Sequence, residues 1–199
     1  MDGRWFVWRA TAVCYNPHDP LTFLFALLAL LPIVVLLFLA GLASAPSSRQ
    51  QKASLVLLLG LVLNAGANAF MKRCIQSPRP RHPASGDLNC STPSAHGMPS
   101  DHAQFMFFFI TWLMRRAALT GLPMALEMRA FLLSAAFAVS YGRVYNNYHY
   151  PMQVIVGGLI GVTNAYLCTT PSGEAILHQA AVAVSPVKNF CTGWVQFLV

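Results

Sequence analysis

Three short stretches of this sequence carry residues whose types and spacing could do chemistry. They are Lys72-Arg73-Cys74-Ile75-Gln76-Ser77-Pro78-Arg79-Pro80, Gly97-Met98-Pro99-Ser100-Asp101-His102, and Tyr141-Gly142-Arg143 followed by His149. Lys72, Arg79 and Arg143 can hold anionic oxygens, and the Ser100 hydroxyl can donate to one. His102 and His149 can move protons, and a neutral imidazole is also a competent nucleophile toward phosphorus, because phosphohistidine is readily hydrolysed. Gln153 follows His149 by four residues, so a helical start puts the two on one face. Its side-chain carbonyl could then accept the Nδ1 proton and aim Nε2 outward. The chemistry suggested is phosphoryl handling. Each stretch alone has a plainer reading: Lys72 and Arg79 as snorkelling cations at a helix end, and His102 as a loop imidazole without a task. Arg73 and Arg81 stay in that plainer class.

Ser100-Asp101-His102 comes immediately before an apolar run. Ser or Asp there is a natural N-cap, and the first backbone N–H groups of the helix would point at an anion. Asp101 is out of place beside a phosphate; it is expected to cap the helix or pair with an arginine, facing away from the site. His18, His82, His96 and His178 lack comparable company and read as surface residues.

The elements that must position these groups are greasy. The chain has 199 residues, 56% hydrophobic and only 10% charged, with no charged residue from Pro20 to Ser48. That run exceeds the ~20 residues a spanning helix needs and the ~7–15 of a cleavable signal core, so it reads as an anchored helix. Five spanning segments are expected at about 21–44, 53–71, 103–118, 129–145 and 152–170, in one domain over residues 1–199. Ala45-Pro46-Ser47-Ser48 with Arg49 connects the first two, and a proline-rich loop from Ser77 to Ser100 the next two. Pro151 opens the fifth helix and Pro171-Ser172-Gly173 ends it. The tail from 171 to 199 is ambiguous, with Ala175 to Ser185 read as a short helix lying on the bilayer.

Counting crossings puts the 77–100 and 143–151 loops on the same face. The other face receives Arg49, Lys52, Arg115, Arg116, Arg129 and Lys188, cations without a chemical task, which the positive-inside rule places in the cytoplasm. Arg4 and Arg9 argue the other way. The net charge of +7 does not point to nucleic acid, because the cations sit at the ends of apolar runs and form no stripe interleaved with aromatics. Cys14, Cys74, Cys90, Cys168 and Cys191 show no metal-like spacing; an odd count leaves at least one free, and buried, inert thiols are expected. No metal site is indicated. Asn89-Cys90-Ser91 is a formal glycosylation acceptor in the motif-side loop.

Taken together the stretches resemble the phosphatidic acid phosphatase type 2 (PAP2) superfamily, with its signature K-x6-R-P, P-S-x-H and S-R-x5-H-x3-D. Lys72, Arg79 and Pro80 match the first block; Pro99, Ser100 and His102 the second; Arg143 and His149 the third. Three weak blocks in order on one face make a strong resemblance. Within it the chain is similar to the dolichyl diphosphatase branch, through Leu63-Asn64-Ala65-Gly66, Gln104-Phe105-Met106, Val139-Ser140-Tyr141 and Gln153-Val154, over most of residues 55–160. Two departures stand out. Gly142 replaces the signature Ser, removing one phosphate hydrogen bond, and Gln153 replaces the signature Asp, an amide that can accept from His149 but cannot balance an imidazolium.

The resemblance implies an all-α, polytopic membrane bundle of the PAP2/vanadium haloperoxidase type. It implies hydrolysis of dolichyl or another polyprenyl diphosphate without cofactor or metal, at the lumenal face of the endoplasmic reticulum membrane, recycling the lipid carrier of N-glycosylation. His149 would be the nucleophile and His102 the acid and base. Lys72, Arg79, Ser100 and Arg143 would bind phosphate, and Gln153 would orient His149. The partners implied are the lipid and the bilayer, with no nucleic acid. Rival readings are a broad phosphatidate-type phosphatase, an inactive lipid-phosphate-binding scaffold, and a transporter or channel component. The last is disfavoured because the polar residues cluster at helix ends.

Overall fold

The computed structural model describes residues 6–8, 13–45, 50–83 and 96–198. The chain starts with a two-stranded antiparallel hairpin, β1 (Phe6–Trp8) and β2 (Val13–Tyr15), followed by seven helices among the described residues: α1 (Pro20–Leu28), α2 (Leu31–Ser44), α3 (Gln51–Ile75), α4 (Asp101–Leu119), α5 (Leu126–Tyr145), α6 (Pro151–Cys168) and α7 (Pro171–Leu198). Three stretches are long and apolar enough to cross a bilayer: Pro20–Ser44, Gln51–Ile75 and Pro151–Cys168. The chain is an all-α membrane bundle. Arg4, Arg9, Arg49, the Pro46–Ser48 connection and the Asn89-Cys90-Ser91 acceptor lie outside the described residues, as does the side chain of Lys188.

Three expectations need correction. The first spanning segment is two helices, broken at Ala29 and Leu30 just before Pro32, a ring that cannot donate to the preceding turn. The tail is not a short surface helix: Pro171 opens a 28-residue helix instead of closing one, since proline is at home in a first turn. Leu177 and Ala181 of α7 pack into the core formed by Leu39, Val56, Leu57, Leu61, Phe108, Trp112 and Ala165. Cys14, finally, is disulfide-bonded, while Cys74 and Cys168 are free thiols.

The packing that matters for the site is α4 against α6. A Cβ on Gly157 would stand 2.6 Å from the Ser100 carbonyl oxygen, and one on Gly161 would stand 2.3 Å from that of Gln104. Both obstacles are backbone, so only glycine admits this approach, the small-residue contact that draws membrane helices together. Amides cross-link the same layer. Gln104 Nε2 donates to Asn64 Oδ1 at 2.9 Å and Asn164 Nδ2 to the same oxygen at 2.8 Å, while Asn68 Nδ2 donates to Gln104 Oε1 at 2.8 Å and to the Pro99 carbonyl at 3.3 Å. The buried network ties α3, α4 and α6 together and holds the turn that enters α4.

Candidate active site

Four helix ends meet at one end of the bundle: the last turns of α3 and α5, and the first turns of α4 and α6. α3 stops at Gln76, whose backbone is left-handed (φ 49°), and the Ser77-Pro78-Arg79 segment doubles back. Gly97 N–H donates to the Ser77 carbonyl at 2.8 Å, so this segment is paired to the approach to α4. Between α5 and α6 the chain turns through Asn147 (φ 55°), a residue type that tolerates this conformation. The turn brings the N–H groups of Tyr148 and His149 onto the Arg143 carbonyl, at 2.9 and 3.1 Å. One turn therefore sets both Arg143 and His149.

His149 is buried, 2% exposed, and its tautomer follows from its neighbours. Gln153 Nε2 donates to the Pro78 carbonyl at 2.7 Å and to Ser77 Oγ at 3.1 Å, which fixes Oε1 as the amide atom facing the other way. That oxygen accepts the Tyr150 N–H at 3.2 Å, as a third helical residue often caps its own N-terminus, and faces His149 Nδ1 at 3.2 Å. Nδ1 thus carries the proton, and the Nε2 lone pair points into the site, where Arg79 Nη1 donates to it at 3.1 Å. Gln153 is a double clamp: one end orients the imidazole, the other holds the strand that bears Arg79.

The remaining groups gather around Nε2. Lys72 Nζ lies 2.9 Å from Asp101 Oδ1, and that oxygen is 3.8 Å from His149 Nε2. His102, one residue on, lies near the Ala29 backbone at the break between α1 and α2 and within electrostatic reach of His149, Asp101 and Arg143. Two further buried donors have no partner among the described residues: Ser100 Oγ and Arg143 Nε. Ser100 is fully buried at the N-cap of α4 but makes no capping bond. Buried donors are nearly always satisfied, so this pair reads as places for a ligand's oxygens.

Tyr148 organises the cations. Its ring lies under the Arg143 guanidinium at 4.0 Å, its carbonyl accepts from Arg79 Nη1 at 2.9 Å, and its hydroxyl accepts the Cys14 N–H at 2.7 Å. His82, read from sequence as a surface residue, instead lies buried 5.1 Å from that ring. Neither residue was legible as part of the site, because a tyrosine beside a motif histidine and a histidine in a proline-rich loop carry no periodic signal. Asp101 also departs from expectation: it pairs with a lysine instead of an arginine and faces the site. Arg73 and Arg81 stay outside the cluster of contacts among the described residues.

The His149 pKa is pushed down from its ordinary value to about 3, first by burial and then by the positive charges of Arg79 and Arg143. At pH 7 the ring is therefore neutral. The sign for stability follows: the unfolded chain takes up this proton near its usual pKa of about 6.5 and the folded chain only near 3. The stabilisation is complete above the unfolded value and is lost as pH falls through this window. Compared with His149→Gln, the wild-type Tm should fall more steeply between pH 6.5 and 4. Parallel melting curves of the two proteins would contradict the assignment.

Gly142 has a packing explanation. A Cβ there would meet Phe25 Cβ at 2.8 Å, so α1 closes against α5 only because the position is glycine. Gly142→Ser, which restores the superfamily residue, should lower stability by roughly 1–3 kcal/mol through overpacking, read as a fall in Tm, with no gain in phosphate binding.

A family model described as the PAP2 superfamily matches residues 53–176: the chain belongs to that superfamily. Among curated proteins it is similar to Dolichyldiphosphatase 1 of Rhinolophus ferrumequinum, 36% identical over 96% of this chain and 82% of the relative. It is 35% identical to Dolichyldiphosphatase 1 of Homo sapiens, over 81% of this chain and 69% of the relative. Lipid phosphate phosphatase gamma of Arabidopsis thaliana is 33% identical over 76% of this chain and 66% of that protein. No solved structure matches the chain.

Proposed function

We propose that the chain hydrolyses dolichyl diphosphate, or a similar polyprenyl diphosphate, to the lipid monophosphate and inorganic phosphate through a phosphohistidine. The observation that carries this reading is the set around His149 Nε2: a neutral, oriented imidazole 3.1 Å from one arginine, with two buried, unpartnered donors on Ser100 and Arg143. His149 Nε2 attacks the terminal phosphorus, the bond to the bridging oxygen breaks, and the electron pair leaves with the lipid monophosphate. Lys72, Arg79, Arg143, the Ser100 hydroxyl and the first N–H groups of α4 hold the equatorial oxygens as charge spreads. Arg79 moves from Nε2 to phosphate when the substrate arrives.

A neutral His102 leaves one ring nitrogen bare in the resting state. Protonated in the presence of the anionic substrate, that nitrogen delivers a proton to the departing oxygen. Bare again, it accepts one from the water that attacks the phosphohistidine. The P–N bond then breaks and returns the neutral imidazole.

The polyprenyl chain lies along the apolar helices, and the site faces the lumen of the endoplasmic reticulum, where the reaction recycles the carrier for protein N-glycosylation. Two features favour that orientation. The disulfide at Cys14 sits on the catalytic face through the Cys14 contact with Tyr148, and disulfides persist in oxidising compartments. Lys52, Arg115, Arg116 and Arg129 occupy the opposite helix ends, as cytoplasmic loops do.

The names of the relatives, together with the similarity to their sequences, favour the diphosphate; the Arabidopsis relative's name keeps a broader lipid phosphatase as the second reading. Phosphate release by detergent-purified protein in EDTA, from dolichyl diphosphate, dolichyl phosphate and phosphatidate, separates the two. Release from the diphosphate with at most slow release from the other two is expected. Equal rates on phosphatidate would move the assignment to the broad enzyme, and no release from any of them would leave a scaffold.

A further inference from the structure

Among the described residues, Asp101 is the one charged group at the site with no part in the reaction as written. It is the first residue of α4, its side chain about half exposed (54%), so it stands at the mouth of the site. Its Oδ1 is 2.9 Å from Lys72 Nζ and 3.8 Å from His149 Nε2. A phosphorus poised for attack must sit about 3–3.5 Å from Nε2 in line with the ring, which brings its oxygens to the same lysine. The carboxylate and the substrate's terminal phosphate therefore contend for one place. The N-cap of α4 is Ser100, one residue earlier, and the half-exposed Asp101 side chain has room to swing outward once displaced.

We infer that Asp101 is a resident counter-ion that sets a charge threshold for phosphate binding, and so favours a lipid diphosphate over a lipid monophosphate. This rests on the phosphatase reading of the site. Displacing a group of charge −1 gains little for a singly charged or weakly dianionic head group. It gains more for a diphosphate, whose additional charge is met by Arg79 and Arg143 as well as Lys72. The same competition acts after the reaction, when inorganic phosphate and lipid monophosphate remain: the carboxylate returns to Lys72 and helps to expel them. Without Asp101 the site holds its products more tightly and discriminates less.

The test pairs a binding measurement with a kinetic one. Asp101→Asn and Asp101→Ser are compared with wild type and Asp101→Glu in full-length protein in detergent. Inorganic phosphate protection against thermal unfolding reads affinity without turnover, and each variant's Tm in phosphate-free buffer reports its folding. Both neutral variants should bind phosphate about two- to fivefold more tightly, the size of one partly screened charge contact, with Asp101→Glu close to wild type. The ratio of kcat/KM for dolichyl diphosphate over dolichyl phosphate should fall by a similar factor, chiefly through KM.

Unchanged or weaker phosphate binding in both neutral variants overturns the inference, even in a fully active enzyme. A fall in kcat with KM constant would do so as well, because it would make Asp101 a participant in the chemistry. Absence of lipid hydrolysis by wild type counts against the phosphatase reading alone, since tighter phosphate binding by the neutral variants is read independently of turnover.

Discussion

Replacing His149 by alanine should cut phosphate release from dolichyl diphosphate by at least about 10⁴-fold, the scale on which loss of a covalent nucleophile is felt. The protein should still fold. The ring's protein contacts are one bond to Gln153 and one to Arg79, and Gln153 keeps its bonds to Pro78, Ser77 and Tyr150 when the ring is gone. The specific signature is covalent: wild type quenched during turnover of substrate labelled in the terminal phosphate should carry an acid-labile, alkali-stable label that His149→Ala lacks. Label should build up in His102→Ala, in which the phosphohistidine waits for an unassisted water. A His149→Ala protein within tenfold of wild type would require another nucleophile.

Gln153→Glu should also be damaging, although it supplies the carboxyl function that the superfamily signature has at this place. The side chains have the same shape, but the amide nitrogen that donates to the Pro78 carbonyl at 2.7 Å becomes an oxygen. Two acceptors then face each other in a site where Gln153 is 1% exposed. An unmet buried acceptor costs about 1–3 kcal/mol, more when charged. The strand carrying Arg79 should loosen, Tm should fall by several degrees, and kcat/KM should drop by about 10²-fold for a loss near 3 kcal/mol. Protonating the introduced carboxyl gives it a donor for Pro78. Burial raises its pKa in the folded state, so the Tm deficit should shrink as pH falls below about 5. Activity equal to or above wild type would show that the clamp on Pro78 contributes nothing.

Much of this arrangement is written in the order of residues. The helices α3 through α6 lie within a few residues of the expected segments, although of these four only α3 and α6 are among the stretches long and apolar enough to cross a bilayer. Their alternation brings Lys72, Ser100, His102, Arg143 and His149 to one end, which follows from parity alone. What was not legible depends on contacts between distant elements. The hairpin at the N-terminus is short, and it is fastened in part by the Tyr148 hydroxyl, 134 residues from Cys14. α7 carries Glu174, His178 and a proline within its length, so its composition argued for a surface segment; Leu177 and Ala181 complete the core only once α2, α3 and α6 are in place. The Asn64–Gln104–Asn68–Asn164 network had a visible signal, two asparagines four apart inside an apolar helix, which in lipid demand partners. Gly142 and Asp101 mislead for opposite reasons: one is a packing requirement that looks like a missing ligand, the other a site residue that looks like a cap.

The glycine contacts between α4 and α6 have a mechanical consequence. Gly157 lies against the backbone of Ser100, and Gly161 against that of Gln104, so the helix that carries His102 in its first turn and the helix that follows His149 touch without intervening side chains. Interlocked main chains have no rotamers to exchange. When membranes of differing thickness tilt the bundle, the two imidazoles must travel together, and their separation is insulated from the lipids around them.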